Sequence, residues 1–156
     1  MEKFIENLNK AASLLQTADH LLYMTYPLIR EKRLLLKILS DINTATANII
    51  NAILQYEYFY KRINLYKEGK TNFQTFKEKC ASRYNINQEQ ITKILEIFDL
   101  TEKHKKSPFE FVRNDKIVIM NNAIRIDTIT IEKMKDYIFL CKDLLRKAEN
   151  VIRAKK

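Results

Sequence analysis

Glycine occurs once in the 156 residues of this chain, at position 69. An average globular chain carries it at about 7% of positions, so the shortage constrains the backbone directly. Phosphate-cradling loops of the P-loop and dinucleotide-binding kinds need several glycines, because backbone N–H groups must approach a phosphate closely. Sandwiches and barrels need many Gly/Pro turns, and proline occurs only at 27 and 108. Long helices are favoured instead, in keeping with 30% charged residues. Hydrophobic residues make up 46%, enough for a core in one domain spanning 1–156.

The apolar pattern reads as a mainly α fold, a four-to-five-helix bundle. Over residues 2–29, Phe4, Leu8, Ala11, Leu15, Ala18, Leu22, Thr25 and Ile29 recur at alternating spacings of four and three. Ile5, Ala12, Leu14, Leu21 and Leu28 widen that stripe into a core-facing helix. Pro27 removes a backbone donor and should kink or end the helix near Tyr26, with Arg30-Glu31-Lys32-Arg33 as the turn. A second helix follows over 33–66 on Leu35, Ile38, Ile42, Ala45, Ile49, Ile53, Tyr56, Tyr60 and Ile63. It would be roughly 50 Å long and would form a long N-terminal antiparallel hairpin with the first. Gly69 marks the clearest break and is a candidate helix C-cap.

Beyond the break, Thr71 and Gln74 have capping-box spacing, opening a short helix to about 84 with Phe73, Phe76 and Cys80 inward. Asn87 and Gln90 repeat the spacing before a helix carrying Ile91, Ile94, Leu95 and Phe98, which ends in the run 103–108. The period then changes to two. Phe109 and Phe111 alternate with Glu110, Ile117 and Ile119 with Val118, and Ile124 and Ile126 with Arg125. Asn114-Asp115 and Asn121-Asn122 fit tight turns. The pattern predicts a small three-stranded antiparallel β-meander over about 109–128, its third strand opening at Ala123, which must pack on the helices to be stable. Thr130 caps a last helix to about Ala154, with Ile131, Met134, Ile138, Cys141, Leu145, Ala148 and Ile152 inward.

Catalytic chemistry is thinly supplied. No residue stands out as catalytic or as a metal ligand, and no small-molecule cofactor is expected. The two histidines, His20 and His104, lack the Glu-x-x-His pairing that builds metal sites inside bundles, and His104 sits in a cation-repelling basic run. Cys80 and Cys141 fall on predicted helices at no metal spacing and read as small buried thiols of a reducing compartment. No stretch of about 18 residues is free of charge, so no transmembrane segment is expected. Residues 1–6 carry acids and lack an apolar core, so no secretory signal is expected, and the location reads as cytoplasmic.

The formal net charge is +9, and its distribution is uneven. Residues 1–70 carry +3, 71–110 carry +1 and 111–156 carry +5. On the last helix, Lys135, Phe139, Lys142, Arg146 and Arg153 fall within about 60° of one another, opposite the core stripe. A phenylalanine among four cations is what a phosphate-tracking surface with one stacking position would use. The competing reading is a solvated face balanced by Asp136, Asp143 and Glu149. Arg113 and Arg125 of the meander could extend the basic surface, or simply guard its edges. With one apolar member, Phe139, the stripe argues against a membrane-surface role.

A second candidate surface lies near the end of the second helix. Tyr58 projects with Leu54 and Leu65 away from the core stripe, beside Lys61 and Arg62. Those five residues read as a partner-binding or stacking patch, or as the second face of a helix packed on two sides.

Two resemblances bear on function. The stretch 107–119, SPFEFVRNDKIVI, together with Asp19-His20-Leu21-Leu22-Tyr23, resembles a small archaeal family of helical proteins with no established function. The helical hairpin followed by shorter helices is similar to HEPN bundles, many of which are dimeric ribonucleases or toxin components. That likeness implies an Arg followed four to six residues later by a His near the final helix. Here Arg113-Asn114 opens the motif, but Ile117, Val118 and Ile119 stand in the His positions, and no His follows Arg125.

The sequence therefore points to a non-enzymatic interaction module, binding RNA or a ribonucleoprotein through its basic last helix. A HEPN-like ribonuclease or toxin–antitoxin relative is the enzymatic alternative. A structural subunit, covered at Tyr58 by a protein partner or a second copy in a homodimer, is the third.

Overall fold

The computed structural model describes residues 2–107, 109–113, 116–120 and 126–154, with the main chain only at 109, 111 and 126. It is a bundle of five helices with a three-stranded antiparallel sheet before the last. Helix α1 covers 3–29, its α-helical parts Lys3–His20 and Tyr26–Ile29 joined by a π-helical Leu21–Thr25. Helix α2 is Lys32–Phe59. Helix α3 covers 69–84, passing from α-helical Gly69–Thr75 through π-helical Phe76–Cys80 to a 3₁₀ turn at Ala81–Tyr84. Helix α4 is Gln88–Lys106 and α5 is Ile131–Ile152.

The expected antiparallel hairpin is the spine of the molecule. Asn7 Nδ2 of α1 donates to Gln55 Oε1 of α2 at 3.4 Å, and the rings of Phe4 and Tyr56 meet edge to face at 5.2 Å. Pro27 does not end α1. The π turn ahead of it lets Tyr26 N–H reach back to Leu21 O, and Pro27 falls in the first turn of the following segment, where no donor is required. The helix stops at Arg30, whose N–H bonds Tyr26 O at 2.8 Å with φ at 56°. Leu28 and Ile29, expected on the core stripe, are exposed because the chain turns away before α2 can cover them.

Helix α2 ends at Phe59, not near Tyr66, and spans roughly 42 Å by its 28 residues. Lys61 takes a left-handed φ of 62°. Its N–H bonds Tyr58 O, and the next N–H, of Arg62, bonds Glu57 O, each at 2.9 Å. That pattern is a Schellman stop built on lysine. The chain then folds back, burying Ile63, and Asn72 clamps the loop by exchanging two 2.8 Å bonds with the Tyr66 backbone. Gly69 is not a C-cap. It opens α3 with an ordinary φ, and a Cβ there would meet nothing within 4 Å. The Thr71–Gln74 capping box does not form either, because the helix starts earlier. Thr71 donates instead to Glu68 Oε1 at 2.7 Å, and Gln74 bonds Glu78.

The second capping box does form. Asn87 Oδ1 accepts from Gln90 N–H at 2.8 Å, and Gln90 Oε1 accepts from Asn87 N–H at 3.2 Å. Thr130 Oγ1 accepts from Lys133 N–H at 3.1 Å and starts α5 as expected. The strands β1 (Phe109–Arg113), β2 (Lys116–Met120) and β3 (Ile126–Ile129) form a meander in the order β1-β2-β3. Glu110 lies opposite Ile119, which lies opposite Asp127. The turns expected at Asn114-Asp115 and Asn121-Asn122, and the third strand's start at Ala123, lie outside the described residues.

One hydrophobic cluster joins every layer. Leu8, Leu15 and Leu22 of α1 meet Ile38, Ile42, Ile49 and Ile53 of α2. Ile94 and Ile97 of α4, Ile117, Ile119 and Ile129 of the sheet, and Ile138, Leu144 and Ala148 of α5 complete it. Helix α5 is more deeply set than its stripe suggests, since Tyr137, Leu140 and Leu144 are also buried. It packs on α2, α1 and α4, so two flanks of it are covered.

Candidate nucleic-acid interface

Helices α1 and α5 lie antiparallel, and the basic stripe runs along their seam. Three contacts fix the register: Arg153 Nη2 donates to Asn9 Oδ1 at 2.6 Å, Lys142 Nζ lies 2.8 Å from Asp19 Oδ1, and Lys135 Nζ sits 5.6 Å from the Tyr23 ring centroid. Lys135, Phe139, Lys142, Arg146 and Arg153 are all exposed, Phe139 at 75%. Tyr23, about half exposed, joins them from α1. Sequence reading missed Tyr23 because it lies off the stripe of its own helix. Only the pairing of α1 with α5 brings it under Lys135.

Most of the stripe's charge is answered. Lys142 pairs with Asp19, Arg146 with Asp143, and Arg153 with Glu149 at 3.2 Å. Asp136, expected to balance the stripe, pairs across to Lys93 of α4 at 3.1 Å. Asp143 does more than pair. Its Oδ2 accepts from Gln90 Nε2 at 2.7 Å, while Lys147 Nζ reaches Gln90 Oε1 at 2.8 Å and Asn85 O at 2.6 Å. Burial works to raise the Asp143 carboxyl, but hydrogen bonds from Arg146, Gln90 and Lys147 overcome it and hold the group below the usual carboxylate value. Exposed pairs contribute only about 0.2–1 kcal/mol each, so a phosphate can displace the acid from Lys142 or Arg153 at little cost. Arg113 is exposed at the end of β1, and Arg125 lies outside the described residues.

The second candidate patch is divided by the fold. Tyr58 is 53% exposed and, with Lys61 and Leu65, lines an open groove of about 720 Å³ between the start of α1 and the loop after α2. Leu54 is not part of it. At 4% exposure it belongs to the core and borders a different groove of about 500 Å³, with Ile50, Phe73 and Phe98. The early end of α2 at Phe59 turns the following loop away and separates the two. Arg62 points inward to Glu57, a fully buried carboxylate that also accepts from Tyr84 Oη at 3.0 Å and faces Arg83 Nε at 3.4 Å. Nothing in the spacing of these four residues marks them in the sequence, because they meet only when α3 packs on α2.

Both cysteines are buried and free, as expected. Burial pushes each thiol up to about 12, so neither is a nucleophile near neutrality. Thr46 gives its hydroxyl hydrogen to Ile42 O at 2.8 Å, which leaves the Cys141 thiol to donate to Thr46 Oγ1 at 3.0 Å. His104 bonds Glu110 and is engaged in docking the sheet. Among the described residues no group of three His, Cys, Asp or Glu could hold a metal, and no helix is long and apolar enough to cross a membrane. No protein-family model matches the chain, and no curated protein matches it.

Proposed function

We propose that the protein is a non-enzymatic interaction module that binds single-stranded RNA, free or in a ribonucleoprotein, along the α1–α5 seam. The observation that carries this reading is Phe139, solvated at 75% within a line of four cations, with Tyr23 of α1 under one of them, Lys135. Exposed rings supply stacking that tolerates any base, and the cations track the backbone. The neighbouring acids lower the potential, so affinity belongs in the non-specific range, on the order of 10⁻⁴ to 10⁻⁶ M at physiological salt. The two buried free thiols favour a cytoplasmic setting.

Fluorescence anisotropy with a labelled RNA oligonucleotide tests the reading. Binding should weaken steeply with salt, fall in Phe139→Ala, and disappear in the Lys142→Glu/Arg146→Glu double variant. Unchanged binding in that double variant would sink the proposal. Cleavage of the oligonucleotide by pure protein would replace it with a HEPN-like ribonuclease. A salt-resistant oligomer that Tyr58→Asp dissociates would replace it with a structural subunit joined at the Tyr58 groove.

A further inference from the structure

We infer that the hairpin tip joining α1 to α2 is a docking surface for an anionic membrane. The outward face of α1 changes character along its length. Ser13, Gln16, Thr17 and His20 are exposed over its middle turns. From the π turn onward the exposed residues are Tyr23, Met24, Pro27, Leu28 and Ile29. Leu28 is 86% exposed and Met24 61%. Folding does not need them there, since Leu22 and Tyr26 already bury the inner side of the same turns. A contiguous apolar cap of this kind marks a contact surface.

The surrounding charge selects the medium. Arg30, Lys32 and Arg33 follow Ile29, and Lys135 reaches over Tyr23. Arg33 pairs with Glu31 at 3.0 Å and Lys32 with Glu110 at 3.1 Å, so these four cations against two acids leave the tip with a positive excess. Aliphatic side chains at a tip, a tyrosine at its edge and a collar of cations match the three layers of an anionic bilayer surface: acyl boundary, headgroup level and lipid charge. A second copy would bring the same cations face to face, on a chain already at +9. Leu28 protrudes, 86% exposed. A fluid surface can close over such a side chain. The tip adds the apolar residues that the α5 stripe alone lacks, and Leu28 and Ile29 stand apart from the proposed RNA seam.

Sedimentation of the full chain with phosphatidylcholine vesicles, with and without phosphatidylserine, tests this. The chain should pellet with the phosphatidylserine vesicles and be released by salt. Leu28→Asp/Ile29→Asp should reduce partitioning about tenfold or more, and Arg33→Glu should reduce it less. RNA binding should be unchanged in the Leu28/Ile29 variant, which also shows that it is folded. No pelleting with phosphatidylserine vesicles, or pelleting that survives Leu28→Asp/Ile29→Asp, overturns the inference. A change in solution mass of that variant without lipid also overturns it, in favour of a protein contact.

Discussion

Among the described residues, three sit in left-handed backbone without glycine's freedom: Arg30, Lys61 and Asn85. Asparagine tolerates that region, but for lysine or arginine it costs about 1–2 kcal/mol. The one glycine, meanwhile, occupies the first turn of α3, where it gains nothing. Lys61→Gly should therefore stabilise the protein by about 0.5–1 kcal/mol after the added freedom of the unfolded chain is counted, and Gly69→Ala by about 0.5 kcal/mol. Urea unfolding measures both, and a destabilised Lys61→Gly would mean that the lysine side chain contributes more than its backbone strain. Glu57 makes the opposite case. Burial first, then the charge and hydrogen bond of Glu57, push the Tyr84 phenol upward, so that hydroxyl stays neutral and must donate. Glu57→Leu should cost about 1–3 kcal/mol by orphaning it. Adding Tyr84→Phe should recover part of that loss, and a strictly additive double variant would contradict the coupling.

At the scale of elements, the sheet is held to the helices by ion pairs as well as by Ile117, Ile119 and Ile129. Glu110 of β1 accepts from His104 Nδ1 of α4 at 2.5 Å and faces Lys32 Nζ of α2 at 3.1 Å. Lys103 of α4 bridges Asp127 of β3 at 2.8 Å and Asp99 at 2.9 Å. Burial works to raise the Glu110 carboxyl, but its bonds to His104 and Lys32 prevail and leave it below the ordinary value of 4.5. A depressed carboxyl stabilises the fold above its unfolded value, and that contribution is lost as pH falls through the folded one. The bonds of Lys103 to Asp127 and then Asp99 raise its ammonium above 10.5, so its contribution is intact below that pH and lost above it. Sheet docking should thus loosen at both extremes. Glu110→Gln should flatten the acid limb of stability measured by circular dichroism from pH 3 to 7, a range set by the carboxylate scale. An acid limb identical to that of the parent chain would show that Glu110 does not carry it.

For the whole molecule, the antiparallel pairing of α1 with α5 forms a seam that is basic and partly self-neutralised, by Asp19 from α1 and by Asp143 and Glu149 from α5 itself. Four cations can release at most four counterions, so the slope of log affinity against log salt for RNA should be no steeper than about −3. Asp19→Asn should tighten binding at low salt, because Lys142 loses the carboxylate that competes with phosphate. Weaker binding in that variant would mean that Asp19 positions the lysine instead of masking it. The same pairing sets Tyr23 beside Lys135 and leaves the α1–α2 tip uncovered at one end of the bundle.

Periodicity and scarce glycine were enough to determine a bundle of four to five helices, the hairpin, the meander before the last helix and most core positions. A stripe at three-four spacing can be buried in only one way, and the Asn87–Gln90 box is a local event. The stop at Lys61, the survival of α1 past Pro27 and the burial of Leu54 belong to tertiary structure alone. A left-handed lysine and a π turn have no compositional mark, and both hold only because Ile63 and Tyr26 have a core to enter. The site divides the same way. The line from Lys135 to Arg153 is a property of one helix. Asp143 and Glu149, which answer Arg146 and Arg153, lie on that same helix and are legible there. The acid that answers Lys142 and the ring under Lys135 come from α1, because charge and ring contact act through space between elements far apart in the chain.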